Sequence, residues 1–173
     1  MSKPNRVIVS VHNAESQAYV REYAEQSKMI IDIINVEDLV KTSNSHYKYN
    51  LFFNSLIANV KEGFIWCIDD DDEIETDAID YIKSNCLDQD ILYIFKILLI
   101  NKNIPSFSWN KRPVLGDIGT PNFVVHSSLA KTEQWTDKQT ADGFFIQKLY
   151  DKVPKKKFFD KVIYKVKKAG LGK

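Results

Sequence analysis

The chain has 173 residues, 44% hydrophobic and 12% aromatic, and its 24 basic and 23 acidic side chains leave a net charge of +1. That length and apolar content suffice for one sizeable core. No segment reaches the roughly 20 apolar residues that span a bilayer, and residues 1–6 lead into a strand-like run and not a signal-peptide core, so a cytoplasmic protein, at most peripheral to a membrane, is expected.

Residues 6–11 form a β-branched run of strand length closed by His12 and Asn13. Residues 15–26 have the spacing of a polar-faced helix, with Ala18, Val20, Tyr23 and Ala24 predicted inward. Residues 29–36 give a second apolar run, and the polar stretch 41–49 reads as a loop. A helix is predicted near residues 50–61, with Leu51, Phe52, Ser55, Leu56 and Asn59 at helical spacing. Residues 64–68 are the third strand and run directly into four consecutive aspartates, Asp69, Asp70, Asp71 and Asp72. Thr76 is a candidate N-cap, with Asp77 as a first-turn acid, for a helix through Ala78, Ile79, Tyr81 and Ile82. Residues 90–99 are another long apolar strand. Cys67 in an apolar run and Cys86 at a polar helix end read as free thiols, not as a disulfide or zinc site.

Strands alternating with helices, the strands continuously apolar, predict an α/β fold: a single three-layer domain with a mostly parallel central sheet and helices on both faces. Ligands of such sheets bind beyond the carboxyl ends of the strands, so His12-Asn13 and the aspartates are expected to open on one edge. A buried strand that ends in stacked carboxylates concentrates negative charge where water is partly excluded, and a cation neutralises it. Hard divalent cations take oxygen ligands and keep positions open for phosphate, so one or two carboxylates plus substrate complete the shell. Alternation along an extended segment would put Asp69 and Asp71 on one side, as metal ligands, and Asp70 on the other. A solvated turn that caps the next helix is the competing reading of the same residues.

The run Val7-Ile8-Val9-Ser10-Val11-His12-Asn13, with the run from Phe64 to Asp72, resembles the donor-binding half of GT-A glycosyltransferases, especially the large family-two group. There a first strand ends in a short polar turn and a mid-chain strand ends in Asp-x-Asp. Two later stretches resemble the family in the same order. Gly119-Thr120-Pro121-Asn122-Phe123-Val124-Val125-His126 is similar to its Gly-containing acceptor-side loop before a short strand. Residues 140–149 are similar to its late acidic motif at a helix start, except that Ala141 replaces the first acid.

The resemblance implies a Rossmann-like GT-A domain over residues 1–173, with a nucleotide-sugar-binding half at 1–100, an acceptor and catalytic half at 101–151 and a basic segment at 152–173. It implies a metal-dependent hexosyl- or pentosyltransferase that moves a sugar from a UDP-sugar to an acceptor hydroxyl, with Mn2+ or Mg2+ held by Asp69 and Asp71 against the donor diphosphate. Asp70, His12, Asn13 and an acid after the second strand, Glu37 or Asp38, are implied donor contacts, and such an acid could accept the uracil imide N–H. Asp142 is implied as the general base of an inverting reaction, because an acceptor hydroxyl must lose its proton as it attacks. Asp137 is a nearby alternative base, and a retaining outcome needs neither. His126 reads either as a further metal ligand or as a core histidine. Trp109 and Trp135 read either as sugar-stacking rings or as core.

Residues 152–173 carry nine lysines against one acid, Asp160, which makes this segment +8 and leaves −7 on the rest of the chain. Interleaved with Phe158, Phe159, Val162, Ile163, Tyr164 and Val166, they suit a last strand kept soluble by outward lysines, a basic element leaning on an anionic membrane, or a contact to nucleic-acid phosphate. A glycan or lipid-linked glycan acceptor and a homo-oligomer are the expected partners. A haloacid-dehalogenase-like phosphatase, a nucleotidyltransferase and a calcium-binding module compete with the transferase. They are disfavoured by Glu73 after a mid-chain motif, by the missing Gly-rich phosphate loop and by the lack of EF-hand spacing respectively.

Overall fold

The computed structural model describes residues 6–27, 29–106 and 111–167; Trp109 lies outside them. The chain is mixed α/β and forms two compact units, Met1–Asn59 with Asp137–Gln139, and Val60–Thr136 with Thr140–Lys173. Among the described residues no helix is long and apolar enough to cross a membrane.

In the first unit β1 (Val7–Val11) and β2 (Ile31–Asn35) pair in parallel, Val7 opposite Ile31 and Val11 opposite Asn35. Helix α1 (Ala14–Ser27) joins them, followed by α2 (Glu37–Thr42) and α3 (Tyr49–Asn59). A two-stranded sheet is a narrow platform, and α1 buries none of its side chains; Ala18 and Tyr23, predicted inward, are exposed, Tyr23 by 50%. In α3 the deepest residues are Phe53 and Ile57, one helical turn apart, and not the predicted face.

Asp137 closes this unit. Its Oδ1 accepts from the Tyr47 amide at 2.6 Å and the Ser45 hydroxyl at 2.8 Å, and its Oδ2 accepts from the His46 amide at 2.9 Å. These donors, the two amides first, hold the Asp137 carboxyl below its ordinary range.

The second unit holds a six-stranded sheet in the order β3-β7-β5-β8-β4, with β6 pairing β5 beside this path. Its strands are β3 (Phe64–Trp66), β4 (Glu73–Ile74), β5 (Ile91–Leu99), β6 (Lys102–Ile104), β7 (Phe123–His126) and β8 (Lys155–Val166). The expectation of a mostly parallel sheet is corrected here: β5–β8 is parallel, whereas β3–β7, β5–β7, β5–β6 and β4–β8 are antiparallel. For β5–β6 the physical reason is connection length. β5 returns through a tight turn into β6, and residue 100 falls in that turn, so no crossover helix separates them.

Helix α4 (Ala78–Asn85) lies on one face of this sheet, where Ala78 and Ile82 join Tyr93, Phe95, Ile97, Val124, Phe159, Ile163 and Tyr164 in one core. Phe95 and Phe159 stack at 4.8 Å and 9°. On the other face Phe123 of β7 meets Phe145 of α6 (Ala141–Lys152) at 5.7 Å, and Trp135 stacks on Phe145 at 5.3 Å, so Trp135 takes the core role. Between β7 and α6 lies the short helix α5 (Ser127–Ala130).

Within the basic segment, Lys155–Val166 form an internal strand. β8 runs along the length of β5, with register shifts that leave Asp160, Lys161 and Ile163 without a partner in β5, and its second half also pairs β4. Its lysines meet acids: Lys161 meets Asp77 at 2.7 Å, Lys165 meets Glu75 at 2.9 Å, Lys155 meets Asp88 at 3.8 Å, and Lys167 just beyond the strand meets Glu73 at 3.5 Å. Asp77, not Thr76, is the N-cap of α4, and its carboxylate turns to Lys161 instead of capping the helix.

Asp137→Ala is expected to lower the melting temperature at neutral pH. A depressed carboxyl stabilises above its unfolded pKa, about 4, and loses that contribution as pH falls through its lower folded value. The difference from wild type, followed by thermal denaturation, should therefore shrink in acid; a gap independent of pH would refute this role.

Candidate functional site

The acidic turn is built by three strands. β3 leaves its ladder with β7 after Trp66, Cys67 and Ile68 continue without a strand partner, and the chain reverses with Asp70 and Asp71 at the centre of a turn before β4. Because residues 70–71 turn, simple alternation does not order the four carboxylates; the turn brings its first and fourth residues, Asp69 and Asp72, together.

The buried hydroxyl of Tyr164, on β8, holds this turn at its start. It accepts from the Asp69 amide and donates to the Asp69 carbonyl, both at 3.1 Å. The amide of Lys167 donates to Asp72 Oδ1 at 3.0 Å. Burial raises the Tyr164 phenol above its ordinary value, which keeps the hydroxyl protonated as a donor.

Asp69 keeps exposed surface, yet its carboxyl is crowded and is pushed up to about 6, first by desolvation and then by the charges of Asp72, Asp71, Asp70 and Asp142. Asp142 therefore lies near enough for its charge to act on a residue 73 positions earlier in the chain. Asp142 occupies the first turn of α6, where its Oδ1 accepts from the Gly143 amide at 2.7 Å, and burial raises its own carboxyl. Its other oxygen faces the backbone of Gly119, where an added Cβ would stand 3.6 Å from it.

The Gly119 loop is in turn fixed. The Gly119 amide donates to Asn122 Oδ1 at 2.8 Å, Asn122 Nδ2 donates to the carbonyls of Phe95 at 2.9 Å and Ile104 at 3.0 Å, and Trp66 Nε1 donates to the Pro121 carbonyl at 2.9 Å. Trp66 also sets its ring edge-on to Tyr164 at 6.1 Å. A second loop rests on α6: Arg112 grips Asp151 through Nε at 2.7 Å and a terminal nitrogen at 2.6 Å, and Gln147 donates to the Pro113 carbonyl at 2.8 Å. Gly143 lies beneath it, and a Cβ there would stand 2.6 Å from Leu115 Cδ2, so the Leu115 side chain would have to shift.

The turn offers only hard oxygen donors, and their mutual repulsion is the kind that a divalent cation relieves. Among the described residues no group of three His, Cys, Asp or Glu side chains is placed to hold an ion. Cys67 is no ligand in its ground state: burial first, then Asp69, pushes its thiol up to about 12.

Other predicted residues have local structural partners. His126 is buried at the end of β7 opposite Phe64, the end of β3 farther from the aspartates, with Nδ1 2.8 Å from Ser128 Oγ and no partner for Nε2. It takes the core role. Asp137 is engaged in the first unit and held low, which makes it a poor proton acceptor. Also in that unit, His12 sets its ring edge-on to Phe52 at 5.7 Å. Asn13 caps α1 by accepting from the Ser16 amide at 2.7 Å, and Asp38 is a first-turn acid of α2. Tyr164, Trp66 and Gly143 were given no role in this site from the sequence; of these only Gly143, a glycine inside a helical pattern, gave a signal.

An acid whose folded pKa is raised costs stability once it ionises. Asp69→Asn should therefore raise the melting temperature at pH 7.5, and this gain should fade as pH falls from the folded value of about 6 toward the unfolded one of about 4. A variant no more stable than wild type at pH 7.5 would contradict the crowding described. No protein-family model matches the chain, and no curated protein matches it.

Proposed function

We propose that the chain is a metal-dependent glycosyltransferase of GT-A type that moves a sugar from a nucleotide sugar, a UDP-sugar by the resemblance, to an acceptor hydroxyl. The observation that carries this reading is a carboxylate cluster at the end of a strand, Asp69 to Asp72, together with a helix-start carboxylate, Asp142, set against the Gly119 loop. In this reading Asp69 and Asp71 hold Mn2+ or Mg2+, while Asp72 is engaged by the Lys167 amide. When bound, the cation would offset the charge of the donor diphosphate and of the departing nucleoside diphosphate. Asp142 accepts the proton of the acceptor hydroxyl, and its raised carboxyl makes it a stronger acceptor than an ordinary aspartate. His12, Asn13, Asp38 and Asp70 are the donor contacts assigned by resemblance.

The mixed sheet is compatible with the GT-A reading only as a variant of the expected parallel arrangement. The residues that support it are the two carboxylate positions and the Gly119 loop beside Asp142. The paired lysines of β8 lend no support to a membrane or nucleic-acid surface there.

Calorimetry with UDP should give binding that depends on Mn2+ and is abolished by Asp69→Ala or Asp71→Ala. Asp142→Asn should keep donor binding and lower donor hydrolysis or transfer by about 100-fold or more, the usual worth of a general base. Binding of UDP unchanged by removal of Mn2+ and by both alanine variants would defeat the assignment.

A further inference from the structure

We infer that Gly119 is a specificity-determining position: the side chain it lacks leaves a notch beside Asp142 Oδ2 that admits the hydroxyl of the acceptor. The inference rests on the transferase reading above and goes beyond it by saying where that hydroxyl stands and what chemistry the notch selects.

At three of the four glycines among the described residues an added side chain would be strained or would disturb a neighbour. Gly63 and Gly116 stand at φ +108° and +82°, and a Cβ on Gly143 would displace Leu115. Gly119 has neither reason. Its φ of −132° and ψ of −178° are extended backbone open to any residue. An added Cβ would find Asp142 Oδ2 at 3.6 Å and Asn122 Oδ1 and Pro121 Cδ at 3.9 Å, all ordinary contact distances. The fold would therefore accept alanine here, and what the glycine contributes is the space itself.

That space has fixed walls. The Gly119 amide donates to Asn122 Oδ1 at 2.8 Å, and the Gly119 carbonyl accepts from the Asn122 amide at 3.1 Å. Asn122 is fully buried, and its side-chain nitrogen ties it to Phe95 of β5 and Ile104 of β6. Asp142 turns Oδ2 toward the notch while its Oδ1 accepts from the Gly143 amide. Gly119 and Asp142 are both half-buried, so neither is sealed from solvent.

The two polar atoms that face the notch, Asp142 Oδ2 and Asn122 Oδ1, are both acceptors. A group that fits must donate a hydrogen bond, which suits a hydroxyl and excludes a carboxylate or a phosphate. In the transfer the hydroxyl gives its proton to Asp142 Oδ2 and its oxygen bonds to the anomeric carbon. The bond from that carbon to the nucleoside diphosphate breaks, and its electron pair leaves on the phosphate oxygen. A methyl group on residue 119 would contest the space in which the hydroxyl comes within about 2.8 Å of Oδ2.

The test compares Gly119→Ala with the wild type in three measurements. Alanine restricts the unfolded chain where its backbone conformation is allowed, so the melting temperature should be equal or higher. UDP binding with Mn2+, by calorimetry, should be unchanged. Hydrolysis or transfer of the UDP-sugar should fall by about 100-fold, the usual cost of a misplaced reacting group. Gly119→Ser, the second variant, fills the notch with its own hydroxyl and should lose turnover in the same way. A purely structural glycine would lower stability and activity together, whereas the notch lowers activity alone. Wild-type turnover in Gly119→Ala, or turnover lost together with stability or with UDP binding, overturns the inference while the transferase reading stands. Absence of Mn2+-dependent UDP binding by the wild type overturns that reading, and this inference with it.

Discussion

The parallel pairing of β8 along β5 is the constraint on which the second unit depends. It buries Phe159 against Phe95, places Ile163 and Tyr164 in the core, and makes β8 the inner neighbour of β4. Without it the acidic turn would lose its hold at Asp69 and Asp72, since both attachments come from the far end of that strand. The lysines that make this segment basic are the counterpart of the same arrangement. They pair with acids in and just after β4, so the strand with the highest positive charge can lie between two others in the sheet. Exposed pairs of this kind each add little stability, and their consequence is register more than energy.

A cluster of carboxylates at the end of a strand is a local excess of charge that the fold does not cancel. Asp77, Glu73 and Glu75 have lysine partners, whereas Asp69 has other carboxylates as its strongest electrostatic neighbours. The paired acids surround the unpaired ones and confine the repulsion to the turn. On the opposite side, α6 begins with Asp142 above the Gly119 loop, and that loop is tied to β3 by Trp66 and to β5 and Ile104 by Asn122. The two carboxylate positions are thus set on one rigid frame, the sheet itself.

Much of this was legible in the sequence, and the limits have physical causes. β-branched and aromatic runs marked β1, β2, β3 and β5, and Thr140-Ala141-Asp142 marked the start of α6, because local preference and tertiary structure agree there. Strand direction was not legible. β7 has four residues, and β8 alternates lysines with apolar residues as a surface strand would, so periodicity could not reveal that both neighbour β5. Alternation does not order Asp69 and Asp71, because the chain turns where an extended segment was assumed, and their pairing as ligands rests on the resemblance alone. Tyr164 escaped notice because a hydroxyl that serves backbone groups 95 residues away leaves no trace in local pattern. The outward face of α1 escaped for a related reason: the breadth of the sheet beneath a helix is not written in the helix.

The account turns on one electrostatic expectation, that burial first and then the neighbouring carboxylates, Asp142 the last of them, hold the Asp69 carboxyl above its ordinary range. Carbon-detected nuclear magnetic resonance of the Asp69 carboxyl across a pH titration, in metal-free wild type and in Asp142→Asn, reads it directly. The account predicts a midpoint near 6 in the wild type and a lower one in the variant. An ordinary midpoint near about 4, the same in both proteins, would contradict it.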